Sequence, residues 1–120
     1  TSDELLTWNQ IYEAVANAAG VPLNAIHIAS DFISEAAKKL DWCSMGGDFM
    51  LGNLQGDKAV STIFDNTKIK TFVPEFNATT TFKKGIKETV EWFEADPSRM
   101  VIREENNRFM DAIIEAYQAG

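Results

Sequence analysis

The stretch Leu6-Thr7-Trp8-Asn9-Gln10-Ile11-Tyr12, closed eight residues later by Gly20-Val21-Pro22, is the strongest local signal in the chain. Thr7 and Gln10 have the spacing of a capping box. The threonine hydroxyl accepts from the amide of residue 10, and the glutamine side chain returns to the amide of residue 7. Leu6 and Ile11 are placed as the matching hydrophobic staple. Trp8, Ile11, Tyr12, Val15 and Ala19 then form one apolar stripe at helical period. Gly20 suits the left-handed stop, and Pro22 forbids resumption. The rest of the chain is read outward from this helix.

Ala25-Ile26-His27-Ile28-Ala29 is β-branched around a histidine and predicts a short strand. Ser30 or Asp31 caps a second helix to about Leu40, with Phe32, Ile33, Ala36, Ala37 and Leu40 on its apolar side. Four of the chain's seven glycines fall between Asp41 and Gly56, beside Trp42, Phe49, Met50 and Leu51. That segment reads either as a loop with a helical turn or as a loop ordered by a neighbouring domain. Val60-Ser61-Thr62-Ile63-Phe64 alternates and predicts a second strand. Asp65 caps a helix over 66–72 that Pro74 ends, with Lys68 one turn on, at its surface. A helix follows with Phe82, Ile86, Val90 and Phe93 on one face. Gly85 within it costs roughly 1 kcal/mol of helix propensity relative to alanine, which close packing against another part of the chain would explain. Asp96-Pro97 starts a last helix running to about Tyr117, with Val101, Ile102, Phe109, Ile113 and Ala116 inward. The expected class is α+β and mostly helical, with about five helices and two short strands.

Composition bounds the function. At 120 residues, 45% hydrophobic and 24% charged, the chain has room for one modest core and is expected to be a single domain. A net charge of −7 opposes nucleic acid, whose phosphates would be repelled. Lys83, Lys84 and Lys87 lie among Glu88, Glu91 and Glu94 and read as a solvated helix face, as do Glu104, Glu105, Asp111 and Glu115. One cysteine, Cys43, permits no internal disulfide and fits a reducing compartment; with one histidine it makes no usual zinc site. No apolar run reaches membrane-spanning length, and residues 1–4 lack a signal-peptide plan, so a cytoplasmic location is expected. Neither tyrosine has a lysine four residues on, and there is no glycine fingerprint for a dinucleotide. Gly47 and Gly52 have P-loop spacing, but Asn53 stands where the lysine belongs. The chain itself supplies no catalytic, cofactor-binding or metal-ligating set.

The order of several pieces is more informative than any one. Residues 1–12, Thr-Ser-Asp-Glu-Leu-Leu-Thr-Trp-Asn-Gln-Ile-Tyr, are followed by Ile26-His27-Ile28-Ala29-Ser30-Asp31 and by Gly56-Asp57-Lys58. Next come Phe64-Asp65-Asn66-Thr67-Lys68-Ile69-Lys70 and Thr80-Thr81-Phe82-Lys83-Lys84-Gly85-Ile86, then Trp92-Phe93. This succession resembles the region after the Rossmann domain in NAD-dependent epimerase/dehydratase proteins, the extended short-chain dehydrogenase/reductases. The likeness covers about residues 1–97, and residues 98–120 lie outside it.

That resemblance implies a bilobed parent. Its N-terminal Rossmann lobe, absent from this chain, would hold NAD or NADP and a Ser/Thr-Tyr-Lys set. Residues 1–120 would form the C-terminal substrate-binding lobe, without the parallel sheet, closing over a small molecule such as a nucleotide-sugar. Chemistry would begin with hydride transfer to the nicotinamide. Asp57 and Lys58, after the glycine-rich stretch, are the first candidates for substrate contact, with a plain surface turn as the alternative. His27 and Trp42 are further candidates; a structural histidine and core packing are theirs. The sequence departs from the family where Asn53, Leu54 and Gln55 replace an arginine that would grip a diphosphate bidentately, which weighs against a UDP- or dTDP-sugar. Lys58 offers only a point charge there. A lobe without its partner would bare an apolar face and be sticky or homodimeric through it. A self-contained helical interaction domain would instead be a compact monomer.

Overall fold

The computed structural model describes residues 1–40 and 51–120, and the expectations for Trp42, Cys43 and Phe49 lie outside them. The described residues are mostly helical. Five α-helices are present among them: α1 (Trp8–Ala18), α2 (Ser30–Lys39), α3 (Thr67–Phe72), α4 (Phe82–Glu94) and α5 (Glu104–Gln118). A π-helical turn spans Gly52–Asp57 and a 3₁₀ turn Pro97–Arg99. The chain divides into two compact units. Residues 1–24 and 62–101 make the first; residues 25–61 and 102–120 make the second.

In the first unit, α1 starts as its sequence dictates. The Thr7 N–H donates to Gln10 Oε1 at 2.8 Å, and the Gln10 N–H donates to Thr7 Oγ1 at 3.3 Å, completing the reciprocal box. The helix ends in a Schellman motif. The Val21 N–H reaches the Ala16 carbonyl at 3.0 Å and the Gly20 N–H reaches Asn17 at 3.2 Å, with Gly20 at φ +69°. Helix α1 packs along α4. Ile11, Val15, Phe82, Ile86 and Val90 are half-buried, yet no residue of this unit is buried. Trp8 (66% exposed), Tyr12 (55%) and Trp92 (54%) keep much of their area in water.

Helix α3 begins one residue after the expected start, with Asn66 as its N-cap residue. Asp65 still satisfies its first turn, accepting from the Thr67 N–H at 2.8 Å and the Thr67 hydroxyl at 2.6 Å. Thr81 caps α4 by accepting from the Lys84 N–H at 3.3 Å. On the outer side of α4, Lys84–Glu88 and Lys87–Glu91 are exposed i,i+4 pairs, in keeping with a solvated face.

The buried side chains of the described residues all belong to the second unit. Ala36 and Ala37 of α2 meet Phe109 and Ile113 of α5, with Ile28, Phe32 and Ile33 packed against them. Phe32 and Tyr117 meet edge to face with centroids 5.3 Å apart. Ser34 is wholly buried, and its hydroxyl donates to the Ser30 carbonyl at 2.8 Å, so the polar group is not stranded.

Three expectations are corrected. Neither segment 25–29 nor segment 60–64 forms a strand; among the described residues there is none. Both lack a ladder, because alternation prepares a strand only if another strand lies beside it. The last helix does not start at Pro97. Asp96 does cap there, accepting from the Ser98 N–H at 2.9 Å with Pro97 next, but the turn closes after three residues. Helix α5 starts at Glu104, so Val101 and Ile102 stay exposed instead of facing inward. Thirdly, no neighbour among the described residues explains Gly85. A methyl built there meets only Thr80 Cγ2, at 3.8 Å, an ordinary contact.

Gly20→Ala should lower the stability of the chain by about 1–2 kcal/mol, the cost of a side chain in left-handed backbone. Among the described residues nothing lies within 4 Å of the added methyl, so backbone conformation sets the effect. A urea midpoint equal to the parent's would remove Gly20 as the stop of α1.

Candidate functional site

The sequence candidates fall in the second unit. Asp57 closes the π turn Gly52–Asp57, whose wide ring is sealed by the Lys58 N–H donating to the Asn53 carbonyl at 2.9 Å. The Lys58 ammonium donates to the Asp57 carboxylate beside it, and both side chains are more than half exposed. The pair therefore neutralises itself at the surface, which is the arrangement of a turn. His27 is exposed on the segment leading into α2, while its neighbour Ile28 packs on the core. Trp42 lies outside the described residues.

A concave surface lies instead in the first unit. An open groove of about 630 Å³ runs between residues 1–4 and the start of α4. Its volume is within the roughly 300–1,000 Å³ usual for small-molecule sites, although it is walled on one side more than enclosed. Ser2, Thr80, Thr81 and Thr89 supply hydroxyls, Phe76 and Phe82 supply aromatic faces, and Gly85 lies on the helix side. Among the described lining residues, Glu4 is the one ionisable side chain, and there is no lysine, arginine or histidine. Such a lining hydrogen-bonds neutral hydroxyls, and its described side chains offer no cation to a diphosphate. None of Asp57, Lys58 or His27 lines it. A shallower concavity continues along α4 past Gly85, Thr89 and Trp92 to Phe93.

The groove's wall is fixed by polar contacts between distant parts of the unit. Asn66 Nδ2 donates to the Thr1 carbonyl at 3.1 Å and to Asp3 Oδ1 at 2.9 Å. Lys70 Nζ donates to Asp3 Oδ2 at 2.5 Å, and the Phe82 N–H donates to Glu4 Oε2 at 2.6 Å. The Lys70 ammonium, then the Asn66 amide, hold the Asp3 carboxyl below its ordinary value of 3.8. The Thr67 hydroxyl and N–H do the same for Asp65, and Ser98 does so for Asp96. At the far end of α4, the Arg99 guanidinium stacks 4.0 Å over the Trp92 ring while donating to the Trp92 carbonyl at 2.7 Å. Sequence reading singled out Lys68 in this region. Lys70 makes the contact, and a lysine two residues along carries no local mark of which partner it will find.

Among the described residues, no group of three histidine, cysteine or acidic side chains lies close enough to hold a metal ion. No helix there is long and apolar enough to cross a membrane. The chain matches no protein-family model, no curated protein and no solved structure.

Two outcomes follow. Gly85→Ala should raise the urea midpoint of the chain, by roughly 0.5–1 kcal/mol of stability, since helix propensity improves and nothing clashes. A drop would mean that Gly85 is packed more closely within the chain than its surroundings show. The second concerns acid. Asp3, Asp65 and Asp96 have folded values below 3.8, so their stabilising contribution is full above that value and is lost as pH falls through the lower folded values. Asp3→Asn should start less stable at neutrality and lose less on acidification; parallel curves for the two proteins would exclude Asp3 from the acid transition.

Proposed function

We propose that this chain is the substrate-binding C-terminal lobe of an NAD(P)-dependent epimerase/dehydratase. In the intact protein a Rossmann domain upstream would hold NAD or NADP and perform the hydride transfer. The lobe would close over a small hydroxylated substrate, a sugar or nucleotide-sugar. The observation that carries this reading is the first unit, in which α1 and α4 lie together without burying a single residue. Trp8 and Tyr12 on α1, and Trp92 and Phe93 on α4, are the amphipathic surface of a unit that needs a further element to cover it. The succession of motifs that resembles the epimerase/dehydratase lobe supplies the identity of that element.

The groove supports the substrate side of the reading: hydroxyls and aromatic faces suit a sugar ring, with Glu4 as an acceptor. Asp57 and Lys58, being self-paired, are placed second to it. The tested alternative is a helical interaction domain without catalysis.

The experiment is to translate the coding DNA upstream of the Thr1 codon, express the longer protein and titrate it with NADH and NADPH by fluorescence. A strand, glycine-rich turn and helix, a later Tyr-x-x-x-Lys, and saturable binding of either nucleotide are expected. An upstream region without these, in a protein that binds neither, would sink the enzyme reading and leave the interaction domain.

A further inference from the structure

Four polar side chains that line the groove of the first unit are partly satisfied within the chain, and what each has left follows from its partner. Thr81 Oγ1 accepts from the Lys84 N–H at 3.3 Å, and Ser2 Oγ accepts from the Glu4 N–H at 3.4 Å. Both hydroxyls therefore keep a proton to donate. Thr89 Oγ1 donates to the Gly85 carbonyl at 2.8 Å and keeps its lone pairs. Glu4 Oε2 accepts from the Phe82 N–H at 2.6 Å, and Oε1 remains an acceptor. Two donors and two acceptors thus border one open space. A ligand hydroxyl, at once donor and acceptor, answers either kind.

The rest of the lining bears on what carries those hydroxyls. Phe76 and Phe82 are half-buried and offer ring faces, whose negative quadrupole suits the C–H side of a saturated ring. The Glu4 carboxylate repels a phosphate placed beside it. Gly85 lines both the groove and the shallower concavity that continues to Trp92 and Phe93. Glycine there costs helix stability, and a methyl built on it meets only Thr80 Cγ2, at 3.8 Å, among the described residues. The missing methyl leaves helix backbone open to the groove, a surface that a flat ligand can approach closely.

We propose that the groove binds an uncharged pyranoside, a sugar ring without phosphate, seated on the α4 backbone at Gly85. Its hydroxyls pair with Ser2, Thr81, Thr89 and Glu4. The proposal rests on the groove being the substrate side of the lobe, and it narrows that reading. Glu4 selects against the nucleotide-sugar, and Gly85 sets how closely the ring approaches. The groove is open as it stands, so no part of its wall has to move.

The test is an NMR titration of the isotope-labelled full chain with methyl glucoside and methyl galactoside, and with the phosphate ester of each. At least one glycoside should shift the Phe82, Gly85, Ile86 and Thr89 amides saturably, and leave those of Asp57 and Lys58 in place. Its phosphate should bind roughly tenfold more weakly, the penalty of setting like charges side by side. Glu4→Gln, which keeps an acceptor for the Phe82 N–H, should remove most of that difference. Gly85→Ala should weaken the glycoside by roughly tenfold, the usual discrimination of one methyl-sized group in a fitted site, while the urea midpoint rises. No saturable shift at those amides with either glycoside would overturn the site. A phosphate that binds as well as its parent sugar would overturn its selectivity. A Gly85→Ala chain that is more stable and binds unchanged would overturn the seat at Gly85. None of these outcomes decides the enzyme reading, which is tested by the upstream sequence and by nucleotide binding.

Discussion

The packing of Phe109 and Ile113 on Ala36 and Ala37 is the only place among the described residues where apolar side chains leave water completely or nearly so. The two alanines keep α2 narrow there, which lets a phenyl ring and a branched chain from α5 fill the space beside it. Burial of such a pair of large side chains stabilises by about 1.5–3 kcal/mol each. Ordering the backbone of even a short helix costs on the order of 1–2 kcal/mol per residue before any gain is counted. The second unit therefore has a nucleus, with Ile28, Phe32, Ile33 and Tyr117 around it, but a small one.

The first unit has no such nucleus, and a different class of interaction arranges it. A capping box, a Schellman stop, two Asx-type turns, a stacked arginine and a set of exposed ion pairs fix where each helix begins and ends. Caps contribute about 1 kcal/mol each, and surface pairs about 0–1. These interactions specify geometry well and supply little free energy. A unit that is specified locally and stabilised weakly is what a face awaiting apolar cover would be, and this is why the absence of buried residues weighs more in the functional reading than the groove does.

What was legible in the sequence follows the same division. Thr7 and Gln10, Gly20, Asp65, and Asp96 with Pro97 were all readable, because each acts through groups within a few residues of itself. The solvated lysine and glutamate face of α4 was readable for the same reason. The start of α5 was not. Asp96 and Pro97 are a genuine helix start, but only three residues use it, and the turn closes at Arg99, which folds back on Trp92. The clasp of Asp3 on Lys70 and of Glu4 on Phe82 spans more than sixty residues of chain, and nothing at either end marks the other. Asp57 and Lys58 were singled out as charges after a glycine-rich stretch, with a surface turn as the alternative, and their pairing with each other was not legible there.

The two missing strands belong to this argument. Val60, Ile63 and Phe64 are exposed on backbone without regular structure, with Val60 at 76% and Phe64 at 72%. A segment of that composition has high strand preference, but the preference measures how well side chains pack on a pleated surface, and here no such surface lies beside it. Irregular backbone with bare β-branched and aromatic side chains is a poor end state in water, for the same reason that α1 and α4 are poor with Trp8 and Trp92 in solvent. Helices α1 and α4 and the Ile63–Phe64 stretch of the first unit thus present the same deficit, each with the pattern that a neighbouring element would complete. A self-contained interaction domain would be expected to concentrate its exposed apolar area in one binding face and to bury the rest. Here the deficit extends to side chains on nearly every element of the unit while no residue of it is buried, and the proposed covered lobe rests on that distribution.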